Sequence, residues 1–250
     1  MNIFSSNYNY DIVIVGGGIS GLFSAYKLAD TGLNILLIEN TDRLGGRIET
    51  YSIGDVQYEA GAARFHNSHG KLLSLISDLN LEDQIVPLPK DINNILRNKS
   101  ENYDYKTDNK LDMKELLLKA LENKKFFKND VLSNISFFQY LILLFDQETA
   151  MFIKDSFGYD SEFNDMNAKS ALTMFKEDFF KDEDYYILKN GLSEIINKLE
   201  TILNDKNNFI IKKNCPLFDI KSQNKTITTG NGDTFYYDNL ILAIPKNKLQ

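Results

Sequence analysis

The apolar residues in the first forty positions form two continuous runs with a helical pattern between them. Ile12 to Val15 and Ile35 to Ile38 are aliphatic runs, which are typical of strands buried on both faces of a parallel sheet. Between these runs, from residue 19 to about residue 31, apolar residues recur at helical spacing, and Gly32 suits the C-terminal cap of a helix. The apolar positions of this helix are Leu22, Ala25, Tyr26, Leu28 and Ala29.

Further elements follow on both sides of the chain's centre. Short β-rich runs separated by turn residues indicate hairpins, and apolar residues three or four positions apart indicate helices. The predicted strands lie at residues 48–52, 56–59, 209–212, 225–229, 234–237 and 239–245, and the predicted helices lie at residues 71–79 and 190–199.

The central part of the chain has mainly helical spacing. Its polar segment, residues 91–109, is expected to form either a strand pair or a mobile loop, and an aromatic stripe at Phe175, Phe179 and Phe180 is typical of a helix core. We therefore predict an α/β domain made of residues 1–84 plus 191–250, and a mostly helical insertion at residues 85–190. The predicted helices of the insertion lie at residues 111–123, 130–146, 147–157 and 168–181.

Composition and charge narrow the class of protein. Hydrophobic residues make up 43% of the 250 residues, which is enough for a packed core. The formal net charge of −7 argues against a nucleic-acid-binding protein. Cys215 is the only cysteine, so no intrachain disulfide is expected. His66 and His69 supply only half of a metal site, and we predict no metal.

Targeting signals are not evident in the sequence. Residues 1–10 have neither the charged region nor the apolar region of a signal peptide. The longest apolar stretch, residues 137–145, is shorter than the ~20 residues that span a bilayer. We expect a cytoplasmic protein with no stable membrane span.

The glycines after the first strand form a G-x-G-x-x-G motif at Gly16, Gly18 and Gly21. In this motif the first glycine permits a tight turn, the second lets the backbone approach a pyrophosphate, and the third lets the helix pack on the strand. The first helical amides, at Ile19 and Ser20, would face the phosphates. Glu39 ends the second strand, where an acid binds ribose hydroxyls and argues against the 2′-phosphate of NADP.

A second motif, E-x-x-x-R-x-G-G-R, follows at once and contains Glu39, Arg43, Gly45, Gly46 and Arg47. The glycine pair again brings the backbone close to phosphate, and the arginines offer forked donors to a diphosphate. This motif resembles that of the flavin-containing amine oxidases, a family that includes monoamine, polyamine and L-amino-acid oxidases. The resemblance implies FAD as cofactor and a glutathione-reductase-like, Rossmann-like FAD-binding domain with a mostly helical inserted substrate domain.

The resemblance extends in patches along the whole chain. Residues 59–65 resemble the family's strand beneath the flavin, residues 190–199 resemble its G-G-x-x-x-L-x-x-L helix with Asn190 in place of the first glycine, and residues 239–245 resemble its strand that returns to the flavin domain. At Leu217 the family uses backbone groups to hold adenine. The further cofactor-binding positions implied by the resemblance are Asn40, Gly61, Ala62, Ala63, Arg64, Leu217 and Ala243.

Arg64 is the residue that bears on the substrate. In the amino-acid oxidase branch of the family, a G-A-x-R-F/I segment places an arginine that binds the substrate carboxylate, and the fork of a guanidinium matches a carboxylate in two hydrogen bonds. Two other roles stay open, because Arg64 could instead pair with a structural acid or with FAD. The resemblance therefore favours an L-amino acid as substrate, then a plain amine or polyamine, and third the dehydrogenation of a carbon skeleton.

The resemblance implies an oxidoreductase that converts the C–N bond of an amine or amino acid to an imine, with oxygen as acceptor and hydrogen peroxide as product. The family's active-site lysine, aromatic pair and last flavin-binding strand have no counterpart before Gln250, so no catalytic residue is assigned. The alternatives are a truncated or non-catalytic FAD-binding module that needs a missing segment or partner, and an NAD-only protein, against which Gly45, Gly46 and Arg47 argue. A homodimer is a candidate assembly.

Overall fold

The computed structural model describes residues 8–88, 112–179 and 184–246. Its contacts divide the chain into a sheet unit, residues 1–88 with 184–250, and a helical unit, residues 89–183. The boundaries predicted from the sequence, after residues 84 and 190, compare with 88 and 183 in this division. The polar segment predicted as a strand pair or loop, residues 91–109, lies outside the described residues.

The elements are as follows. The strands are β1 (Tyr8–Val15), β2 (Ile35–Ile38), β3 (Thr50–Ile53), β4 (Val56–Glu59), β5 (Phe65–His66), β6 (Ile85–Pro87), β7 (Tyr185–Leu188), β8 (Phe209–Lys212), β9 (Leu217–Lys221), β10 (Thr226–Thr229) and β11 (Thr234–Leu242). The helices are α1 (Ile19–Leu28), α2 (Gly70–Asp78), α3 (Met113–Asn123), α4 (Asn129–Asn134), α5 (Phe137–Leu144), α6 (Gln147–Phe157), α7 (Asp160–Asn164), α8 (Ala168–Met174) and α9 (Ser193–Asn204).

The main sheet of the sheet unit has six strands in the order β8-β2-β1-β11-β10-β9. The first four strands run parallel, and β10 and β9 continue the sheet as an antiparallel meander. Parallel neighbours point their carboxyl ends to one edge of the sheet. The ends of β1, β2 and β11, at Val15, Ile38 and Leu242, therefore meet at the edge where the motif residues begin.

The aliphatic runs of the two central parallel strands are buried on both faces, as predicted; these runs are Ile12 to Val15 in β1 and Ile35 to Ile38 in β2. Ile12 and Ile14 of β1 point into a core that contains Leu22 of α1 and Leu199 of α9. Val13 and Val15 of β1 point into a second core that contains residues of the meander and of the turn before it. The second core includes Leu36, Ile38, Cys215, Ile227, Phe235 and Tyr237. Successive side chains of a strand point to opposite faces, so these two cores lie on opposite faces of β1.

Two small sheets extend the sheet unit. The hairpin of β3 and β4 is joined to the start of α9, because the Glu59 carboxylate accepts a hydrogen bond from the Leu192 amide at 2.7 Å and from the Thr50 hydroxyl at 2.8 Å. The other sheet has the order β5-β7-β6. Pro87 lies in β6, an edge strand, where a missing N–H is tolerated.

The helical unit is built around a cluster of phenylalanine residues. Phe137, Phe163 and Phe175 are fully buried, and the ring centroids of Phe137 lie 5.3 Å from Phe163 and 5.0 Å from Phe175. Tyr140 is also fully buried, and its hydroxyl donates to the Ala120 carbonyl at 2.7 Å. Burial removes water from the Tyr140 phenol and raises its pKa to about 12.

The α/β fold class predicted from the sequence is confirmed, with several corrections to the elements. The predicted helix 130–146 is two helices, because Ser136 forms a capping box with Gln139 and starts α5. The predicted helix 168–181 ends as α8 at Met174 and continues as a π-helical turn to Phe179. The predicted strands 234–237 and 239–245 are one strand, β11. Gly191, just before α9, has φ +86°, a left-handed conformation that favours glycine.

Candidate cofactor site

The first glycine loop lies at the carboxyl end of β1, where its glycines meet close backbone neighbours. Gly16 has φ +106°, and a Cβ there would lie 2.6 Å from the Ala243 carbonyl oxygen. A Cβ at Gly21 would lie 1.9 Å from the Gly16 carbonyl oxygen. The turn and the close packing of α1 on the sheet therefore require glycine at both positions.

Gly18 differs from its neighbours in the motif. Its φ of −72° is one that any residue adopts, and a Cβ placed there would meet only the Cα atom of Gly46, at 4.0 Å. Neither backbone conformation nor protein packing requires glycine at this position. The space above Gly18 is open, as expected where a phosphate comes into contact with the backbone.

Helix α1 begins directly after Gly18, which caps it without a side-chain hydrogen bond. The amides of Ile19 and Ser20 lie in its first turn and have no acceptor within the helix. They add partial positive charge beside the open space above Gly18. The structure thus places both predicted residues at the helix end that suits an anion.

The second glycine loop packs directly on the first. The Gly45 amide donates to the Gly17 carbonyl at 2.8 Å, and Gly18 and Gly45 form an isolated parallel bridge. Gly45 has φ +106° and Gly46 has φ +58°, which favour glycine. The two glycine loops therefore pack backbone against backbone, and Gly18 and Gly46 lie next to each other beside the open space.

Glu39 is held against the first glycine loop at the end of β2. One carboxylate oxygen accepts from the Gly17 amide at 2.7 Å, and the other accepts from the amide and the hydroxyl of Thr41, each at 2.9 Å. Glu39 is only half-buried, and a carboxylate can accept more hydrogen bonds than these three. It can therefore still accept a hydrogen bond from a sugar hydroxyl.

The two arginines of the second motif have different surroundings. The Arg43 guanidinium pairs with the Glu49 carboxylate at 2.9 Å and donates to the Gly46 carbonyl at 2.8 Å. The Arg47 side chain is exposed, and it has no hydrogen bond or ion pair to the residues that the structure describes. Arg43 therefore closes its own loop, whereas Arg47 offers its charge to the solvent or to a ligand.

The segment at Gly61, Ala62 and Ala63 lies beside Arg47. The Ala62 amide donates to the Arg47 carbonyl at 3.0 Å, and a Cβ at Gly61 would lie 2.0 Å from that oxygen. The predicted strand at residues 59–65 is wrong in part, because β4 ends at Glu59 and β5 begins only at Phe65. The intervening glycine and alanines are exposed and have weak strand propensity.

Arg64 follows this segment and is exposed. Within the described part of the chain it has no ion pair, which leaves the alternative of a structural acid without a partner there. Its guanidinium carbon lies 4.9 Å from the centre of the Tyr185 ring. The positive charge of Arg64 is therefore available to an anion.

Leu217 and Ala243 are connected to the candidate site by different contacts. The Ala243 amide donates to the Val15 carbonyl at 2.8 Å, directly beside the first glycine loop. Leu217 packs on the second core, two residues after Cys215, whose amide donates to the Glu39 carbonyl at 2.8 Å. Burial raises the pKa of the Cys215 thiol, which therefore stays protonated at neutral pH.

Asn40, the next predicted site residue, lies exposed after Glu39. The contact to the Glu39 carboxylate is made by Thr41 instead.

Three residues of this region were not identified from the sequence. Gly17 leaves room for Leu44 and Glu39, since a Cβ there would lie 2.5 Å from Leu44 Cδ2 and 3.2 Å from a Glu39 carboxylate oxygen; the signal was the middle one of three consecutive glycines. Thr41 fixes the same carboxylate through its hydroxyl. Tyr185 comes from β7, far away in sequence, and no local pattern indicates it.

Other regions show no comparable arrangement in the described residues. A polar groove of about 420 Å³ lies at the amino end of β1, away from the motif residues, and is lined in part by Asp11, Lys225 and Asp238. Residues 8–88, 112–179 and 184–246 contain no group of three or more potential metal-ligating His, Cys, Asp or Glu side chains. Among the helices in these ranges, none is both long and apolar enough to cross a bilayer.

Comparison with known proteins gives consistent results. The sequence model of the family described as flavin containing amine oxidoreductase matches residues 19–250. A probable flavin-containing monoamine oxidase A from Dictyostelium discoideum is 37% identical over 73 residues, which are 29% of this chain and 16% of that protein. Amine oxidase [flavin-containing] B from Cavia porcellus is 42% identical over 77 residues, which are 30% of this chain and 15% of that protein.

The fold matches that of solved structures. Wild-type putrescine oxidase bound to putrescine superposes with a TM-score of 0.66 at 20% identity, over 96% of this chain and 59% of that chain. The chain thus spans about three fifths of the length of this structural neighbour.

Proposed function

Because the chain belongs to the family of flavin-containing amine oxidoreductases, we propose that it binds FAD through its two glycine loops and serves the oxidation of an amine or amino acid. The family match covers residues 19–250, which include every predicted site residue except Gly16 and Gly18. FAD supplies, when bound, the two-electron oxidation of the carbon–nitrogen bond to an imine.

The observation that carries this proposal is the open, side-chain-free surface at Gly18. Gly16 and Gly21 are explained by contacts within the chain, whereas Gly18 is not. The exposed loop around Gly46, the free first-turn amides of α1 and the half-buried Glu39 carboxylate surround the same space. Amide donors beside a carboxylate fit a nucleotide that carries both a diphosphate and a sugar.

The chain's own residues bind and orient in this proposal. The glycine loops and α1 hold the diphosphate, Glu39 holds the ribose, Arg47 adds positive charge, and the chain near Leu217 faces the adenine. Segment 61–63 lies beside Arg47, where it would support the ring system. The roles of Asn40 and Ala243 rest on the family resemblance, and Arg43 stabilises the loop from within.

Arg64 supports an L-amino acid as substrate. Its guanidinium is exposed and has no acid partner in the described residues, so it can donate hydrogen bonds to a substrate carboxylate. A plain amine or diamine ranks second, and the neighbour that binds putrescine makes putrescine a natural member of a test panel. With oxygen as acceptor, each turnover would release one hydrogen peroxide.

The experiment has two stages. The purified chain is first titrated with FAD, and binding is followed by calorimetry and by the flavin's absorbance and fluorescence. Saturable binding of one FAD per chain supports the cofactor assignment. The loaded chain is then given L-amino acids, the corresponding amines and putrescine while peroxide release is measured. Binding without peroxide or flavin reduction would support the non-catalytic module instead, and absence of FAD binding would contradict the proposal.

Arg64→Ala tests the substrate assignment. It should raise the KM for L-amino acids about tenfold or more, because a charge-assisted, two-bond contact is lost, and leave the KM for plain amines nearly unchanged. Equal effects on both classes would contradict the carboxylate assignment.

A further inference from the structure

Tyr185 of β7 contacts Arg64, which lies just before β5, and His66, which lies in β5. In the antiparallel pairing of β5 and β7, Tyr185 is opposite His66. Arg64 precedes His66 by two positions and immediately precedes β5. The Tyr185 ring contacts both of them, with centroid distances of 4.9 Å to the Arg64 guanidinium carbon and 5.5 Å to the His66 ring.

We propose that Tyr185 is the positioning residue that holds the Arg64 guanidinium ready for a substrate carboxylate. This inference rests on the proposed role of Arg64. The sequence motif supplies only the arginine. The Tyr185 ring would order this long, exposed side chain so that it can bind an anion.

The geometry explains how an aromatic ring can do this without competing with the substrate. In a cation–π contact the face of the ring attracts the guanidinium, but the ring has no negative charge that would neutralise it. The five N–H donors of an arginine lie in the plane of the group and stay available to a carboxylate. An acid at the place of Tyr185 would instead neutralise Arg64 and occupy its fork.

Ordering matters because a free arginine loses much side-chain entropy when it binds an anion. A guanidinium already resting on a ring has lost part of that entropy before the substrate arrives, which strengthens binding. Tyr185 is half-buried, and its ring is fixed by the edge-on contact with His66. His66 is buried, with its Nδ1 2.6 Å from the Ser68 hydroxyl.

The test uses the FAD-loaded full chain and two probes that cannot be oxidised at an amine. The probes are 3-phenylpropanoate and 3-phenylpropanamide, which differ in the negative charge. Calorimetry gives the ratio of their dissociation constants for the wild type and for the variants Arg64→Ala, Tyr185→Leu, Tyr185→Phe, Tyr185→Trp and Arg64→Ala with Tyr185→Leu.

Tyr185→Leu should lower the preference for the anion by about two- to fivefold, the range for an exposed cation–π contact. Tyr185→Phe should retain the preference, and Tyr185→Trp should retain or increase it, since tryptophan gives the strongest contact of this kind. In the absence of Arg64, Tyr185→Leu should have no further effect on the preference. A merely structural role of Tyr185 would not produce this order or this dependence on Arg64.

Tyr186→Leu is the matched control. Tyr186 is the next residue of β7, and its ring lies 6.0 Å from that of Phe65 rather than on Arg64. It should leave the anion preference unchanged while costing similar thermal stability. If Tyr185→Leu does not fold, Tyr185→Thr takes its place, because threonine also removes the ring and suits a strand; it should lower the anion preference to the same extent.

The outcomes separate the two proposals. An unchanged preference in Arg64→Ala, or no preference in the wild type, overturns the carboxylate assignment and this inference with it. A large effect of Arg64→Ala with an unchanged preference in Tyr185→Leu overturns the role of Tyr185 alone. The FAD titration of the same samples reports separately on the cofactor.

Discussion

The sheet unit leaves space and charge at its surface around the glycine loops, whereas the helical unit fills its interior with phenylalanine rings. At Gly18 a side chain would meet almost nothing, while Phe137 has no exposed surface at all. Arg47 and Arg64 have no ion-pair partner in the described residues, but Tyr140 has its hydroxyl bound inside the core. A candidate ligand site is therefore recognised by open space and by charged groups that have no partner within the described residues.

The largest expected effect is in the helical unit. Phe137→Ala should lower the free energy of unfolding by about 3–5 kcal/mol, because it leaves a cavity among Tyr140, Phe163 and Phe175. Urea unfolding followed by circular dichroism measures this. Phe126→Ala is the control, since Phe126 is 73% exposed and should change stability by no more than about 0.5 kcal/mol. Equal effects of the two changes would mean that the cluster is not the core.

Alkaline pH should destabilise the chain through Tyr140. Its pKa is near 10 when unfolded and about 12 when folded, so the folded state holds the proton more tightly. Below pH 10 the protonated Tyr140 makes its full contribution to the free energy of unfolding. As the pH rises from 10 to 12 this contribution is lost, and the loss is about 2–3 kcal/mol at most. Unfolding curves at several pH values check this. Tyr140→Phe should remove this part of the pH dependence, and an identical pH profile in that variant would contradict it.

Gly18→Ala tests the open space in the sheet unit. The added methyl group should enter the space assigned to the diphosphate and weaken FAD binding about tenfold or more, which corresponds to ~1.4 kcal/mol or more. The FAD-free chain should lose at most about 1 kcal/mol, since alanine is a weaker N-cap than glycine. Titration with FAD and thermal unfolding measure the two quantities.

Gly70→Ala is the matched control for this change. Gly70 also lies at a helix start, has no positive φ and has nothing within 4 Å of its added Cβ. FAD affinity should not change in this variant. A drop in affinity similar to that of Gly18→Ala would show that the effect is not local.

The smallest expected effects distinguish the two arginines. Arg43→Gln should lower stability by about 0.5–1 kcal/mol, because it breaks a partly exposed ion pair with Glu49. Arg47→Gln should leave the stability of the FAD-free chain unchanged but weaken FAD binding several-fold, more so at low salt, where a charge contact is least screened. Parallel thermal melts and FAD titrations check both, and a stability loss in Arg47→Gln would refute its assignment as a free charge.

Local patterns in the sequence predicted the parallel core and most of the candidate site. The aliphatic runs of β1 and β2 and the spacing of the glycines depend on neighbouring residues, so they can be recognised without knowledge of the fold. The contact between the two glycine loops also follows from their positions after adjacent strands. The capping box at Ser136 could also have been recognised from the sequence, since its S-x-x-Q pattern is local.

Other features depend on contacts between distant residues and could not be predicted in this way. The strands β5 and β7 are short and contain no clear alternation, and their pairing is decided by tertiary packing of Phe65 and Leu188 in the core. Tyr185 meets Arg64 only through that pairing.

The order of strands in the main sheet has a consequence for synthesis on the ribosome. β1 and β2 emerge early, yet their outer neighbours β11 and β8 lie beyond residue 208, after the whole helical unit. Until then both strands expose unpaired backbone edges, which are prone to associate with other chains. Chaperones that shield strand edges should therefore raise the yield of the folded chain.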